Sequence, residues 1–115
     1  MRNPENLKVF QAADALAEKV YEWSAGLPPE EKYGLTSQMR RASVSVISNL
    51  AEGCSRDSAA DFRRFVEMAL GSAMELRAQM SLASRVHAGR VGPLVEANQL
   101  VQMLIGFLKG IRVEA

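Results

Sequence analysis

Residues 58–87 form the longest segment of the sequence that keeps a single helical pattern without interruption. Apolar and small residues recur in it at close to 3.5-residue intervals, the spacing of helices that pack along their length in bundles and coiled coils. Ser58, with Asp61 three positions later, resembles a capping box and predicts the start of this helix. The residues expected to face the core are Phe62, Phe65, Ala69, Ser72, Leu76, Met80 and Ala83. The pattern predicts a helical bundle.

Three breaks separate this helix from three others. Glycine and two prolines occur within 25–34, a polar turn lies at 52–58, and two glycines and a proline fall within 87–93. No segment has the sustained two-residue alternation that indicates a β-strand. The sequence therefore predicts one all-α domain over residues 1–115, with helices at about 4–25, 35–52, 58–87 and 93–112. Asn3 is expected to cap the first helix and Gly53 to end the second. Short connections predict an antiparallel up-down-up-down four-helix bundle.

The composition is that of a globular protein, with 48% apolar and 23% charged residues. No stretch approaches the roughly 20 apolar residues needed to cross a bilayer, so no membrane contact is predicted. The single cysteine, Cys54, excludes an intrachain disulfide and fits a reducing compartment, so we expect a cytoplasmic protein. The net charge is only +1, but residues 34–90 hold eight basic side chains, all arginine, against five acidic ones. Arginine suits phosphate and carboxylate partners alike.

Residue types that support catalysis are scarce. A Cys54–His87 dyad is excluded within one chain, because the two residues lie at opposite ends of helix 3, about 45 Å apart at about 1.5 Å per residue. One cysteine and one histidine do not give the ligand spacing of a zinc site. No glycine-rich nucleotide-binding motif is present. The sequence predicts a protein without enzymatic activity, cofactor or metal.

Arg41 and Glu75 are candidates for an ion pair between helices 2 and 3. In an antiparallel hairpin that turns near residue 56, Glu75 lies level with Gln38 and within one turn of Arg41. The small residues Gly71 and Ser72 opposite Arg41 leave room for its guanidinium group. A half-buried pair fixes helix register more than it adds stability. We therefore expect Arg41 and Glu75 to pair, within a subunit or across a subunit contact.

Helix 3 carries a second apolar stripe beside its core residues, which includes Val66, Leu70 and Met74. One interpretation is a wide stripe that belongs to the core of a single chain. The other is a contact between copies of the chain, because an apolar helix face needs cover. The second interpretation predicts a homo-oligomer with Val66, Leu70 and Met74 in the contact.

Four other arginines are candidates for binding nucleic-acid phosphates. Arg56, Arg63 and Arg64 lie in and after the turn between helices 2 and 3, and Arg40 lies several turns away along helix 2. Such contacts would be largely independent of base sequence and sensitive to salt. The aromatic residues do not obviously alternate with these arginines, so the sequence predicts no platform for base stacking.

Two strings carry a family resemblance, YGLTSQMRRASVSVISNLAEGCSRDS and DFRRFVEMALGSAMEL. They resemble the 23S rRNA-intervening sequence proteins, also called S23-like, whose pattern includes a QxRRA segment, an NxAEG turn and an ALGSxxEL helix. LKVFQAADALAEKVYEWS is similar to the first helix of that family, so the resemblance covers almost the whole chain.

The resemblance implies a four-helix bundle that assembles as a ring-shaped homopentamer. A related branch, the accessory variability determinant of diversity-generating retroelements, binds nucleic acid and a reverse transcriptase. Two functions therefore stay open. The first is a nucleic-acid-binding accessory protein that contacts RNA or DNA through Arg40, Arg56, Arg63 and Arg64. The second is a scaffold that binds a protein partner, such as a reverse transcriptase, and has no nucleic-acid role.

Overall fold

Four α-helices and two short 3-10 turns build residues 2–113, the part of the chain that the computed structural model describes. The helices are α1 (Lys8–Ser24), α2 (Leu35–Cys54), α3 (Ala59–Val86) and α4 (Leu94–Lys109), and the 3-10 turns are Pro4–Asn6 and Pro29–Glu31. These residues contain no strand, which confirms the all-α prediction. Residues 1, 114 and 115 of the predicted domain lie outside the described residues.

Of the four α-helices described, only α3 has an N-cap residue whose side chain bonds to the helix. The Ser58 Oγ accepts a hydrogen bond of 3.0 Å from the Asp61 N–H, as predicted for α3. The start predicted for the first helix is wrong. The Asn3 side chain caps only the 3-10 turn, through the Glu5 N–H, and Leu7 is extended, so α1 begins at Lys8. At the other end of the chain, α4 ends at Lys109, before the predicted residue 112.

Gly53 does not end α2, in contrast to the sequence prediction. The helix continues to Cys54, and among the described residues only Gly89 has a positive φ. Gly53 is buried, and a Cβ atom placed on it would lie 2.9 Å from the Phe65 Cβ and 3.4 Å from the Phe62 carbonyl oxygen. The residue is needed for close packing of α2 on α3, because a side chain there would collide with α3.

The core lies between the four helices. Helix α1 packs against α2 and α4, and α3 packs against the same two helices. Each helix contributes side chains with almost no exposed surface: Val20 from α1, Met39 and Leu50 from α2, Leu76 and Met80 from α3, and Leu104 from α4. No helix of the described residues is long and apolar enough to cross a membrane.

The second apolar stripe of α3 divides between the core and the surface. Val66 has a relative exposure of 0%, so the prediction that it contacts another copy is wrong: the core of its own chain already covers it. Leu70 is half-buried against that core. Met74 is 45% exposed and lies on an outer stripe of α3 that also includes Met68, Gly71, Ala78, Leu82 and Val86, interspersed with the exposed charged residues Glu67, Glu75 and Arg85.

Candidate functional site

A groove of about 660 Å³ lies where the end of α1 meets the start of α2. Its walls combine cationic, aromatic and hydroxyl side chains, and none of the described residues that line it is acidic. They are Tyr21, Lys32, Tyr33, Thr36, Ser37, Arg40, Arg41, Val44 and Ser45. We call this region the basic groove. Three of its residues, Lys32, Arg40 and Arg41, carry positive charge at neutral pH.

Arg40 joins the two helices that form the basic groove. Its Nε donates a hydrogen bond of 2.9 Å to the Ser24 Oγ, and its Nη2 donates one of 3.2 Å to the Tyr21 carbonyl oxygen. Its guanidinium carbon lies 4.6 Å from the centre of the Tyr21 ring. The positive charge thus stands at the carbonyl end of α1, where the helix dipole favours a cation. Arg40 therefore has a structural role in addition to any role in binding.

As far as residues 2–113 are concerned, Lys32 and Arg41 are available to an external partner. No carboxylate of the described residues lies within 4.0 Å of either cationic group. The Lys32 Nζ lies 5.3 Å from the centre of the Tyr33 ring, and Tyr33 is 86% exposed. Arg41 is also exposed. The two unpaired charges make the basic groove attractive to an anion.

The predicted ion pair between Arg41 and Glu75 is not formed within the chain. The Ser45 and Ser72 hydroxyl oxygens lie 2.8 Å apart and fix the register of α2 and α3. Arg41 precedes Ser45 by one turn and Glu75 follows Ser72 by about one turn, so the two charges are level but not within 4.0 Å. The Glu75 Oε1 instead accepts a hydrogen bond from the Gln79 Nε2. A pair across a subunit contact stays a prediction.

Arg56 and Arg64 lie together at the other end of α2, and each has an acidic neighbour. Arg56 forms an ion pair with Glu52, one turn earlier. The Arg64 Nε lies 3.7 Å from the Asp61 Oδ1. Both guanidinium groups stand over the Phe65 ring, at 4.9 and 4.4 Å from its centre. The charges of this pair of arginines are thus partly neutralised by carboxylates of α2 and α3.

Arg63 is engaged with the end of α4. Its Nη1 donates a hydrogen bond of 2.9 Å to the Leu108 carbonyl oxygen and a longer one of 3.4 Å to that of Ile111. Its Nε lies 3.6 Å from the Glu67 Oε1. Arg63 therefore caps a helix end. The structure brings Arg56, Arg63 and Arg64 to one end of the bundle and leaves Arg40 in the basic groove.

A carboxylate and an imidazole hold the segment that precedes the basic groove. The Glu31 Oε2 lies 2.7 Å from the His87 Nε2, and its Oε1 accepts a hydrogen bond of 3.3 Å from the Leu35 N–H. A carboxylate can only accept, so the His87 Nε2 carries the proton. The His87 hydrogen bond, followed by that from Leu35, lowers the pKa of Glu31 below its ordinary value. Glu31 thus ties the start of α2 to the end of α3, next to Lys32 and Tyr33.

This arrangement predicts acid sensitivity that Glu31→Gln should reduce. The native pKa of Glu31 is lowered, so its contribution to stability is fully present above the unfolded value near 4.5 and is lost as pH falls through the native pKa. Wild type should therefore lose more stability than Glu31→Gln between pH 7 and pH 3. Urea unfolding curves measured across this range test the prediction, and parallel losses in the two proteins would contradict it.

The two residues considered for catalysis lie in different settings. Cys54 is buried at the end of α2, and burial raises the pKa of its thiol. His87 is held by its hydrogen bond to Glu31. Within residues 2–113, no three His, Cys, Asp or Glu side chains are placed to hold a metal ion.

Sequence reasoning found Arg40 but missed the rest of the basic groove as a site. Lys32 and Tyr33 stand shortly before Arg40 and Arg41 in the string KYGLTSQMRR, a local signal that was available. Tyr21 could not be assigned in the same way, because it comes from α1 and reaches the groove only through helix packing.

Comparison with known proteins identifies the family of this chain. A sequence model of the 23S rRNA-intervening sequence proteins matches residues 5–109. The chain is also similar to a crystal structure of a protein of unknown function from the S23 ribosomal protein family of Bacteroides thetaiotaomicron, with a TM-score of 0.73 and 19% identity. That similarity covers 88% of this chain and 98% of the other, and it supports the fold. No curated protein matches the sequence. With all four helices inside the matched range, this chain belongs to the 23S rRNA-intervening sequence protein family.

Proposed function

We propose that this protein is a non-enzymatic accessory protein that binds nucleic acid, RNA or DNA, through phosphate contacts in the basic groove. The observation that carries the proposal is the combination of Lys32, Arg40 and Arg41 in one groove whose described lining includes no acidic residue. Phosphate binding of this kind releases counterions and needs no base-reading side chain.

The other arginines contribute less in this proposal. Arg56, Arg63 and Arg64 each lie within 4.0 Å of a carboxylate of their own helix or turn, so a phosphate would have to compete with that carboxylate. Arg63 is also engaged with the end of α4. We place the main contact at the basic groove and a weaker, secondary one at Arg56 and Arg64.

We further propose that the helices form an up-down-up-down bundle and that five copies assemble in a ring in the cytoplasm. The end of α1 meets the start of α4 through the Lys19–Glu96 ion pair, and the start of α3 meets the end of α4 through Arg63, as antiparallel neighbours would. The outer apolar stripe of α3 offers a subunit contact. A ring of five copies would present five basic grooves to one nucleic acid. This matters because the net charge of one chain is only +1 and each groove alone binds weakly.

A second candidate function is a protein-binding scaffold without a nucleic-acid role. The outer stripe of α3 favours it, because exposed apolar residues such as Met68, Met74 and Leu82 can pack against another protein. A reverse transcriptase is the partner that the resemblance to the accessory variability determinant suggests. This candidate makes no use of the unpaired charges of Lys32 and Arg41.

Binding of fluorescein-labelled RNA and DNA, followed by anisotropy at two salt concentrations, tests the proposal. Lys32→Gln/Arg41→Gln should lower affinity at least tenfold. The slope of log affinity against log salt should fall by about 0.7 for each phosphate of a single strand that the variant no longer neutralises. Neither side chain makes an ion pair in the described chain, so the fold should persist.

Arg56→Gln/Arg64→Gln is the matched control, with the same change of charge at the other end of α2. It should weaken binding less than the groove variant does. A larger loss in this control would move the site to the Phe65 end. No binding by wild type at low salt would reject the nucleic-acid function in favour of the scaffold.

A further inference from the structure

We infer that the basic groove selects unpaired nucleotides, with one base stacked on the ring of Tyr33. This inference rests on the proposed nucleic-acid function and adds to it the form of the nucleic acid. It starts from an aromatic side chain that the fold does not use: Tyr33 is 86% exposed, although a tyrosine ring normally contributes to a core or an interface.

The position of Tyr33 suits a nucleotide because a cation lies close to the ring. The Lys32 Nζ is 5.3 Å from the ring centre, and the unpaired Arg41 lines the same groove. A nucleotide carries a flat base and an anionic phosphate on one sugar, so an open ring next to free cations complements both parts. Grooves that track single strands combine these two features.

Tyr21, the other tyrosine of the groove, has a different role. Arg40 stands 4.6 Å from its ring centre and binds its carbonyl oxygen, so one face of the ring is already covered. Tyr21 is therefore part of the wall that holds Arg40 in place. The Lys32 Nζ also stands over the Tyr33 ring, but at the longer distance of 5.3 Å, and Tyr33 is 86% exposed against 43% for Tyr21, so we assign the base to Tyr33.

The groove can distinguish single strands from duplexes. In a duplex, both faces of each internal base are stacked on neighbouring bases, so Tyr33 can reach only the end pairs. Along the rest of the duplex, only the cations of the groove make contact, and they bind phosphates. In a single strand, a base can turn out and stack on the ring. The groove volume of about 660 Å³ is within the range of sites that hold one small molecule, which suits one nucleotide.

Base identity should matter little in this site. The polar side chains of the groove, apart from its cations and tyrosines, are the hydroxyl groups of Thr36, Ser37 and Ser45. Among the residues that the structure describes, no side-chain amide or carboxylate lines the groove to recognise the edge of one particular base. Stacking is available to every base, so we expect binding with weak sequence preference.

The test compares Tyr33→Leu and Tyr33→Phe on a single-stranded oligonucleotide and on a duplex of the same sequence. Tyr33→Leu should weaken single-strand binding about tenfold and weaken duplex binding far less, because a duplex offers the ring only its end pairs. Tyr33→Phe keeps the ring and should bind like wild type. A 2-aminopurine base in the single strand should change in fluorescence when wild type or Tyr33→Phe binds, and should not do so with Tyr33→Leu.

Three results for Tyr33→Leu would overturn the inference while the proposed function stands. The first is an equal loss of single-strand and duplex binding, and the second is no loss of either. The third is a change in the light-scattering mass, which would make Tyr33 a subunit contact. Lys32→Gln/Arg41→Gln would still weaken binding in each of these cases. Failure of wild type to bind either form would reject the proposed function, and this inference with it.

Discussion

Val66→Asp should severely destabilise the folded chain. The Val66 side chain has no exposed surface in the single chain, and the change would place a carboxylate among the apolar residues of the core. We expect a loss of more than about 4 kcal/mol, a large part of the roughly 5–15 kcal/mol that stabilises a domain of this kind. Circular dichroism at 25 °C and urea unfolding would measure the loss.

Met74→Asp is the matched control for this change, two turns further along α3. Met74 is 45% exposed, so the variant should keep its helical content. If the outer stripe of α3 is the contact between copies, the light-scattering mass of the Met74→Asp protein should fall from the assembled value towards 12.6 kDa. A wild-type mass of one chain would end the ring proposal, and a Val66→Asp protein as stable as wild type would contradict the core position of Val66.

Gly53→Ala should destabilise the protein, although alanine is the better helix former. The new Cβ atom would lie 2.9 Å from the Phe65 Cβ, which is held close to the backbone of α3 and cannot rotate away. Forcing α2 and α3 apart at this point should cost about 1–3 kcal/mol. Urea unfolding monitored by circular dichroism gives the difference from wild type.

Gly106→Ala provides the control for helix propensity. Gly106 lies within α4, and a Cβ atom placed on it would have no neighbour within 4 Å. This variant should be more stable than wild type by up to about 1 kcal/mol. Changes of opposite sign in the free energy of unfolding of these two variants would identify close helix packing as the reason for a glycine at position 53. Stabilisation by both substitutions would instead show that α2 and α3 have room for a side chain there.

Local sequence signals were enough for most of the fold. The periodicity of residues 58–87 and the Ser58 cap located α3 to within a residue, because both depend on nearby positions. Gly53 was misread because a glycine near the end of a helical pattern fits two explanations, a stop and a close contact, and only the position of Phe65 decides between them. The start of α1 was misplaced because Leu7 becomes extended after a short 3-10 turn.

The candidate site was less accessible from the sequence. Arg40 was identified, but its hydrogen bonds to α1 depend on helix packing that a linear pattern does not describe. The ion pair of Arg56 with Glu52 joins the turn after Cys54 to the last turn of α2, at a spacing of four residues in the sequence. Arg41 was assigned to an ion pair with Glu75 from the register alone, which brings two residues level without bringing their charges together.

The basic groove has one wall on α1 and the other on α2, and Arg40 binds across them. Neither α1 nor α2 alone provides all of the residues that line the groove. A chain in which the α2–α3 hairpin has formed but α1 is still undocked would already carry Lys32, Tyr33 and Arg41, yet it would lack the Tyr21 wall and the anchor for Arg40. Full binding strength therefore requires α1 to be docked on α2, so a chain from which α1 has opened would bind the same ligand more weakly than the folded protein.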